Sequence, residues 1–222
     1  MLDLFLRGGP VMWPLLLASV VTLTFIVERA LFWLRVAAGR DKALVLRFLE
    51  SADGARYAEA ARSAHGSRDY VIGVLHSGLV HRNYSASGAL QAAAADTYRR
   101  MRRFLTVLDT VVTVAPLLGI LGTVIGIIGC FQLMGEAGTS DPAAATKGLA
   151  EALITTAAGL IVAIPTLLAY NFFSRQAERA AAEMETSASC LEICLARNES
   201  HGIKDPEEAT SGRREVAADE RR

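Results

Sequence analysis

The sequence is poor in the residues on which many soluble functions depend. Aromatic residues make up 7% of the 222 residues, which leaves few rings on which the bases of a single-stranded nucleic acid could stack. Lys+Arg and Asp+Glu balance at 23 each, so the chain has no basic excess of the kind that indicates nucleic-acid binding. There is no strand-like alternation and no internal repeat. We therefore expect an all-α protein with no nucleic-acid partner.

Cysteine is scarce and odd in number. Cys130, Cys190 and Cys194 lack the spacing of a disulfide framework. Cys190 and Cys194 lie one helical turn apart and could share a helix face, but two thiols with no His-rich partner make a poor zinc site. We predict packing cysteines, no metal site and no cofactor.

What the sequence does have is three long uncharged blocks. Gly8–Val27 covers 20 residues, Thr110–Gly135 covers 26 and Ala152–Ser174 covers 23, and each is long enough to cross about 30 Å of hydrocarbon. Three such blocks would leave too little polar surface for burial in a soluble core. Arg7 and the small residues at 36–39 allow a signal peptide for the first block, but its apolar run is longer than usual for one. The prediction is an all-α membrane protein with three transmembrane helices, and not an enzyme.

Positive charge is concentrated on one side of these blocks. By the positive-inside rule, the middle region and the C-terminal region are cytoplasmic, and the N-terminal region and the loop after the second block are external. Only Arg7 and Lys147 lie on the external side. The cytoplasmic basic residues are Arg29, Arg35, Arg40, Lys42, Arg99, Arg100, Arg102, Arg103, Arg175 and Arg179.

Helix signals are also present outside the blocks. We predict one helix over Ala43–Arg62, a shorter one over Tyr70–Val80, and an uninterrupted helix over Ala89–Ala115, since nothing in that stretch breaks it. The third membrane helix is predicted to begin at Asp141-Pro142, because Asp is a good N-cap and Pro suits the first helical position. Transmembrane helices 2 and 3 should therefore extend into the cytoplasm.

The second and third blocks form an antiparallel hairpin whose midpoint lies near residues 139–140. Thr123 and Thr156 should then lie at similar depth, and Pro116 should lie level with Ala163, close to Pro165. Each helix carries a stripe of small residues, for which close packing and a polar pore lining both stay open. These residues are Gly119, Gly122, Thr123, Gly126 and Gly129 on the second helix and Ala152, Thr155, Thr156, Gly159, Ala163 and Thr166 on the third.

Acidic residues are almost absent from the predicted spans. Glu151 lies just inside the external end of the third, where an intramembrane carboxylate indicates function; a surface Glu paired with Lys147 is the alternative. For Asp109 and Glu28, we predict pairing with nearby arginines at the membrane interface. No Asp, Glu, His or Lys lies at mid-membrane. If protons cross here, a second polypeptide must supply the carboxylate, and Thr123 and Thr156 would offer it hydroxyls.

The hairpin resembles the TolQ/ExbB/MotA proton-channel family. The resemblance rests on APLLGILGTVIGI at 115–127 and GLAEALITTAAGL at 148–160, and it continues in AIP at 163–165 and AYN at 169–171. Three spans fit the ExbB/TolQ branch better than MotA-type proteins, which have four. Glu28-Arg29 is a weaker match, and Thr155 stands where a small apolar residue is common.

This resemblance implies a homopentamer in the bacterial inner membrane, with a periplasmic N-terminus and a cytoplasmic C-terminus. It also implies enclosed ExbD/TolR-like single-span subunits that supply an Asp, and a TonB- or TolA-like protein that is energised across the periplasm. The ion pathway would contain Thr123, Thr156, Glu151 and Thr155. Helix packing is assigned to Gly119, Gly122, Gly126 and Gly159, and helix kinks to Pro116 and Pro165.

The chain divides into seven predicted segments. These are a periplasmic N-terminus with transmembrane helix 1 (1–35), a cytoplasmic helical region (36–103), transmembrane helix 2 (104–135), a periplasmic loop (136–146), transmembrane helix 3 (147–175), a cytoplasmic helix extension (176–200) and a disordered tail (201–222). Two other functions stay open: a non-conducting scaffold assembled through the Gly stripes, and, less favoured without an inverted repeat, a secondary transporter. Na⁺ remains an alternative to H⁺.

Overall fold

A computed structural model describes residues 9–137 and 142–202, apart from the side chains of 133–137, 142–147 and Glu151. All regular structure in this part of the chain is helical. The helices are α1 (Met12–Ala38), α2 (Lys42–Asp53), α3 (Tyr57–Ala64), α4 (Tyr70–Val80), α5 (Arg82–Arg102), α6 (Leu105–Ala137) and α7 (Pro142–Ser200).

Three of these helices are long and apolar enough to cross a membrane. The candidate spans are Met12–Ala38, Leu105–Gln132 and a third within Gly148–Ser200. Their outer surfaces carry large apolar side chains, of which Leu17 is 70% and Ile161 71% exposed. Such surfaces are unfavourable in water but suit a lipid environment. The prediction of an all-α membrane protein with three spans is confirmed, and the chain is a membrane protein.

The contacts divide the chain into two compact units. Among the described residues, the first unit combines those up to Leu31 with those of Arg102–Arg175, and the second combines Phe32–Met101 with those from Gln176 onward. In the first unit, α1 packs against α6 and α7 through a small cluster that includes Leu15, Ala115 and Ala163. Ala115 and Ala163 belong to the same cluster, as the predicted hairpin register requires.

The second unit has the larger apolar core. Phe48, Leu75 and Leu191 are fully buried in it and come from α2, α4 and α7. The predicted helix Tyr70–Val80 is confirmed. It begins at that point because the Asp69 carboxylate caps it, accepting a hydrogen bond from the backbone N–H of Val71 at 2.8 Å.

The predicted helix Ala43–Arg62 is wrong, because it is two helices. Gly54 ends α2, and its backbone N–H donates to the carbonyl of Glu50 at 3.1 Å. Ala55 then takes φ 54°, a left-handed conformation that is rare for a residue other than glycine, and is fully buried. The turn folds α3 back, so that Ala60 joins the same core as Phe48.

The predicted uninterrupted helix Ala89–Ala115 is also wrong. α5 ends at Arg102 and α6 begins at Leu105, and between them Phe104 has φ 68°. The Phe104 ring stacks on Phe25 with centroids 4.7 Å apart. The Arg29 guanidinium lies 5.5 Å from the centroid of the same ring. This tertiary packing holds a backbone conformation that local sequence does not favour.

The third membrane helix, α7, begins at Pro142 as predicted. Asp141, the predicted cap, lies outside the described residues. α7 continues through Pro165 to Ser200, which confirms the extension of this helix beyond its apolar part. Of the predicted loop 136–146, residues 136–137 belong to α6 and 142–146 to α7, and the rest lies outside the description. Of the predicted tail 201–222, only His201 and Gly202 are described, as a turn.

Candidate functional site

The helices of the α6–α7 hairpin contact each other closely at glycine residues. A methyl group added to Gly122 would lie 2.5 Å from Thr155 Oγ1 and 2.7 Å from Thr155 Cβ. One added to Gly126 would lie 2.8 Å from Ala152 Cβ. Real side chains essentially never approach so closely, so the two helices meet in this way only because these positions have no Cβ.

The same holds further along the hairpin. A Cβ at Gly119 would lie 3.0 Å from Thr156 Cα, and one at Gly159 would lie 2.6 Å from the carbonyl oxygen of Ala115. In both cases the obstacle is backbone, which cannot rotate away as a side chain can. Gly129, on the same sequence stripe, has nothing within 4 Å, so the stripe continues beyond the tight contact.

Three threonine hydroxyls gather around one carbonyl in this contact. The oxygen of Gly119 lies 3.2 Å from Thr123 Oγ1, 3.2 Å from Thr155 Oγ1 and 3.1 Å from Thr156 Oγ1. The Thr123 and Thr156 hydroxyls also hydrogen-bond each other across the two helices. The structure thus brings together the two threonines that the hairpin register placed at one depth.

The three hydroxyls differ in how much hydrogen-bonding capacity remains for a further partner. Thr155 is 2% exposed, faces Gly122, and lies 2.7 Å from the carbonyl of Ala152. Thr123 and Thr156 are half-buried. Each hydroxyl has one donor and two acceptor positions, so when one of this pair donates to the other, acceptor capacity remains on the open side of the hairpin. Thr155 lies in the helix contact, whereas Thr123 and Thr156 lie at its edge.

The acidic residues considered in the sequence analysis are not part of this threonine contact. Glu151 lies on the α7 backbone, but its side chain, and that of Lys147 with which it was predicted to pair, lie outside the described residues. Asp109 is exposed on α6. Glu28 is bound by its neighbour Arg29, whose Nε lies 2.5 Å from Glu28 Oε2 and whose side chain is 3% exposed. This is the pairing expected for Glu28.

Pro116 and Pro165 lie inside α6 and α7, which continue through them. Proline has no backbone N–H, so the carbonyls of Val112 and Ile161, four residues earlier, lose their usual intrahelical donor. Thr166, next to Pro165, is fully buried and donates to the carbonyl of Val162 at 2.5 Å. These backbone acceptors add to the polarity that the threonine hydroxyls give the hairpin.

Sequence reasoning missed the cluster around Phe104. Besides Phe25 and Arg29, the Arg103 guanidinium lies 4.6 Å from the Phe104 ring centroid. No glycine or proline marks this position, so no local signal could have indicated a break there. A second missed residue is Thr22, which is 5% exposed on α1 and whose hydroxyl has no hydrogen-bond partner in the described part of the chain.

The cysteines do not form a site. Cys130 packs against Gly148 in the hairpin, while Cys190 is exposed. Burial raises the pKa of Cys194 to about 11, and a hydrogen bond to the Asp53 carboxylate adds to this, so the thiol is protonated near neutral pH. Within residues 9–137 and 142–202 no group of three or more His, Cys, Asp or Glu side chains could hold a metal ion.

Comparison with known proteins assigns this arrangement to a family. The sequence profile of the MotA/TolQ/ExbB proton channel family matches residues 72–186, which include the whole glycine and threonine contact. The chain is 41% identical over 178 residues to "Putative biopolymer transport protein ExbB-like 1" of Synechocystis sp., with 77% of this chain and 69% of the relative covered.

Further relatives match along most of their length. "Putative biopolymer transport protein ExbB-like 3" of the same organism is 30% identical over 86% of this chain and 93% of its own length. "Biopolymer transport protein ExbB" of Neisseria meningitidis is 30% identical over 86% of this chain and 94% of its own length. The family is one of channel and transport proteins rather than enzymes. The chain belongs to the MotA/TolQ/ExbB proton channel family.

Proposed function

We propose that the chain is the pore-forming subunit of a proton-driven motor in the bacterial inner membrane. In this proposal, proton flow through an oligomer of the chain does work on a TonB- or TolA-like protein that spans the periplasm. The relatives named as biopolymer transport proteins support an energising role of this kind. The family membership supports the ion as H⁺ rather than Na⁺.

The observation that carries the proposal is the hydroxyl pair of Thr123 and Thr156. It lies in the middle of two apolar helices, half-buried, at the edge of a contact that glycines make tight. Isolated hydroxyls do not titrate near neutral pH, so the pair by itself cannot take up and release a proton. It can hydrogen-bond a water or a carboxyl group presented from beside the hairpin.

The proposed assembly supplies that carboxyl. Five copies surround two ExbD/TolR-like single-span subunits, each of which brings an Asp to the level of Thr123 and Thr156. In the described part of α6 and α7, residues 110–132 and 152–174 hold no acidic side chain. Burial in an apolar pore raises the pKa of a carboxyl group and so brings its titration closer to neutral pH.

The orientation follows from charge. We propose that residues 36–103 and 176–200 lie in the cytoplasm, because the chain next to the spans carries ten Arg and Lys residues on that side and only Arg7 and Lys147 on the other. Residues 136–146 are then periplasmic, and Glu151 lies near the periplasmic mouth, where a carboxylate would raise the local proton concentration. Thr155 supports the pathway by fixing Gly119 and Gly122 against α7.

A non-conducting scaffold is the second candidate, and the glycine contacts favour it. Gly119, Gly122, Gly126 and Gly159 would be needed for packing alone whether or not ions pass. The two functions differ in what the hydroxyls do. A scaffold needs the volume of Thr123 and Thr156, whereas a pathway needs their oxygen atoms.

The experiment therefore removes oxygen and keeps shape. Thr123→Val and Thr156→Val are made in the chain co-expressed with its single-span partner, and the complex is placed in liposomes loaded with a pH-sensitive dye. We expect each to lower partner-dependent proton flux about tenfold, since one hydrogen bond contributes about 0.5–1.5 kcal/mol and about 1.4 kcal/mol corresponds to tenfold in rate. Thr123→Ser and Thr156→Ser should keep most of the flux.

Thr113→Val is the matched control. Thr113 lies on the same helix, is exposed, and its hydroxyl donates to the carbonyl of Asp109 at 3.2 Å. Flux in this variant should equal that of the unmodified chain. Full flux in both Val variants, with the complex still assembled, would show that these two hydroxyls are not part of the ion pathway. An assembled, unmodified complex without partner-dependent flux would leave the scaffold as the function. Flux that follows a Na⁺ gradient at constant pH would overturn the choice of ion.

A further inference from the structure

A cluster of charged groups and aromatic rings lies where the chain enters the α6 span. Phe104 is the last residue before α6, and the apolar span begins at Leu105. The Phe104 ring stacks on Phe25 of α1, and its centroid lies 5.5 Å from the Arg29 guanidinium and 4.6 Å from that of Arg103. Both rings and both arginines belong to the first unit. The cluster therefore marks the level at which the apolar parts of α1 and α6 meet water.

The two arginines on this ring differ in what else they bind. Arg29 is 2% exposed, and it donates to both carboxylate oxygens of Glu28, from Nε at 2.5 Å and from Nη2 at 2.6 Å. Arg103 is exposed, and no carboxylate of the described residues pairs with it. The charge of Arg29 is thus compensated within the protein, whereas that of Arg103 is available to a ligand.

The contact with Phe104 holds the Arg103 guanidinium without using its hydrogen-bond donors. A cation–π contact acts on the charge of the guanidinium and consumes none of its five N–H groups. Those donors form a planar fork that matches two oxygens of one phosphate group. Arg103 therefore offers a held, uncompensated guanidinium of the kind that binds phosphate.

The surroundings of Arg103 are also electropositive. Residues 25–29 and 102–106 contain three arginines and one glutamate, and Arg102 is exposed like its neighbour. The next acidic residue along α6 is Asp109, in the second turn of the helix. The positive end of the α6 dipole lies at the same place and adds to the potential. The local field thus favours a ligand with net negative charge.

Apolar surface lies beside this charge. Leu23 is 64% and Val27 50% exposed on α1, two residues before and after Phe25. A soluble phosphate has no contact to make with such a surface, whereas an acyl chain covers it favourably. Basic pockets between membrane helices bind the headgroups of anionic lipids in this way. The combination points to a lipid phosphate rather than a free one.

We propose that Arg103, held against the ring of Phe104, binds the phosphate of one anionic phospholipid. The leaflet is the one at this end of the spans, which is cytoplasmic in the proposed orientation. The phosphate accepts hydrogen bonds from Arg103, Arg102 adds positive charge, and the acyl chains lie against Leu23 and Val27. This inference goes beyond the proposed ion pathway and does not depend on it, since none of these residues belongs to the threonine contact.

Native mass spectrometry of the detergent-extracted full chain tests the site by counting bound lipids during a titration. The probes are phosphatidylglycerol, which has one net negative charge, and phosphatidylcholine with the same acyl chains, which has none. We expect the first lipid per chain to bind about fivefold more tightly as phosphatidylglycerol, because the choline group brings positive charge toward the arginines. The site requires neither the single-span partner nor proton flux, so this test and the flux assay fail independently.

Substitutions at position 103 locate the lipid. Arg103→Ala should lower the affinity for phosphatidylglycerol at least about tenfold, because it removes charge-assisted hydrogen bonds. Arg103→Lys keeps the charge but loses the planar fork, so its affinity should be intermediate. Arg175→Ala is the matched control. Arg175 is exposed at the same end of the hairpin but contacts no described aromatic ring, and its loss should leave the affinity nearly unchanged, since salt screens a charge that does not touch the lipid.

Four results would overturn the proposal. Equal losses in Arg103→Ala and Arg175→Ala would mean that positive charge attracts lipid without a site. Unchanged affinity in Arg103→Ala would mean that the lipid binds elsewhere. Full affinity in Arg103→Lys would mean that charge alone suffices and the held guanidinium does not matter. Displacement of the lipid by millimolar inorganic phosphate would mean that the site takes a soluble anion. Circular dichroism of each variant distinguishes lost binding from unfolding.

Discussion

At the scale of single residues, the glycines of α6 and α7 differ in what an added methyl group would meet. At Gly122 the obstacle is the side chain of Thr155, at Gly159 it is the carbonyl of Ala115, and at Gly129 there is none within 4 Å. The same substitution therefore has three different costs on one sequence stripe. The difference depends on whether the neighbour can be removed by a second substitution.

We predict that Gly122→Ala destabilises the hairpin by about 1–3 kcal/mol, the usual cost of overpacking. Gly129→Ala should be neutral or slightly stabilising, because Ala is the better helix former. Adding Thr155→Ala should recover part of the loss in Gly122→Ala, since it removes the hydroxyl and the methyl group of Thr155 but keeps its Cβ, 2.7 Å from the added group. Nothing comparable rescues Gly159→Ala. The measurement is the denaturant midpoint of the detergent-solubilised protein, and equal midpoints for the Gly122 and Gly129 variants would contradict the packing described.

At the scale of helices, the break between α5 and α6 depends on one strained residue. Phe104 has φ 68°, where a side chain other than hydrogen costs about 1–2 kcal/mol. Its ring stacks on Phe25 and lies beneath the guanidinium groups of Arg29 and Arg103. Aromatic and cation–π contacts of this kind contribute about 0.5–1.5 kcal/mol each, which offsets the strain.

This balance predicts an unusual order of stability at position 104. Phe104→Ala loses the ring contacts and keeps the strain, whereas Phe104→Gly loses the contacts but relieves the strain. The glycine variant should therefore unfold at higher denaturant than the alanine variant, by about 1 kcal/mol. In an ordinary helix interior the order is the reverse, with glycine less stable by about 1 kcal/mol. Finding that reverse order would show that α5 and α6 form one continuous helix.

At the scale of the whole molecule, the second unit is closed by a polar network between parts of the chain far apart in sequence. Arg40 forms an ion pair at 2.6 Å with Asp69, whose side chain is fully buried, and another at 2.8 Å with Glu183. The Tyr70 hydroxyl donates to Glu183 at 2.5 Å. Burial, with this hydrogen bond, raises the pKa of Tyr70, which keeps the phenol protonated and donating.

Removing the positive charge of this network should be costly. Arg40→Met keeps much of the side-chain volume but leaves the buried Asp69 carboxylate without its cation, which typically costs about 3–5 kcal/mol. Arg100→Met is the control, because Arg100 pairs with Asp96 on the exposed surface of α5. There we expect a change below about 1 kcal/mol. Adding Asp69→Asn to Arg40→Met should recover part of the loss. Thermal unfolding of the purified protein compares the three variants with the unmodified chain.

Much of the fold was predictable from sequence because it depends on local properties. Apolar length indicated the three spans, and the Asp141-Pro142 signal placed the start of α7. The breaks at Ala55 and Phe104 were not predictable in this way. Ala55 is held by burial in the core of the second unit, and Phe104 by a ring contact with a residue 79 positions earlier.

The candidate site, like the fold, was predictable from the sequence only in part. By itself, the sequence determined that two apolar helices carry threonines at one depth, because hairpin register follows from the position of the loop. The register paired Thr123 with Thr156, but it could not show that the adjacent Thr155, which points about 100° away on the helix, is enclosed in the helix contact. Only the tertiary structure turned Thr155 into the contact with Gly122 and left Thr156 with Thr123 at its edge. The reason is physical: glycines set how closely α6 and α7 approach, and that approach determines which hydroxyl is enclosed.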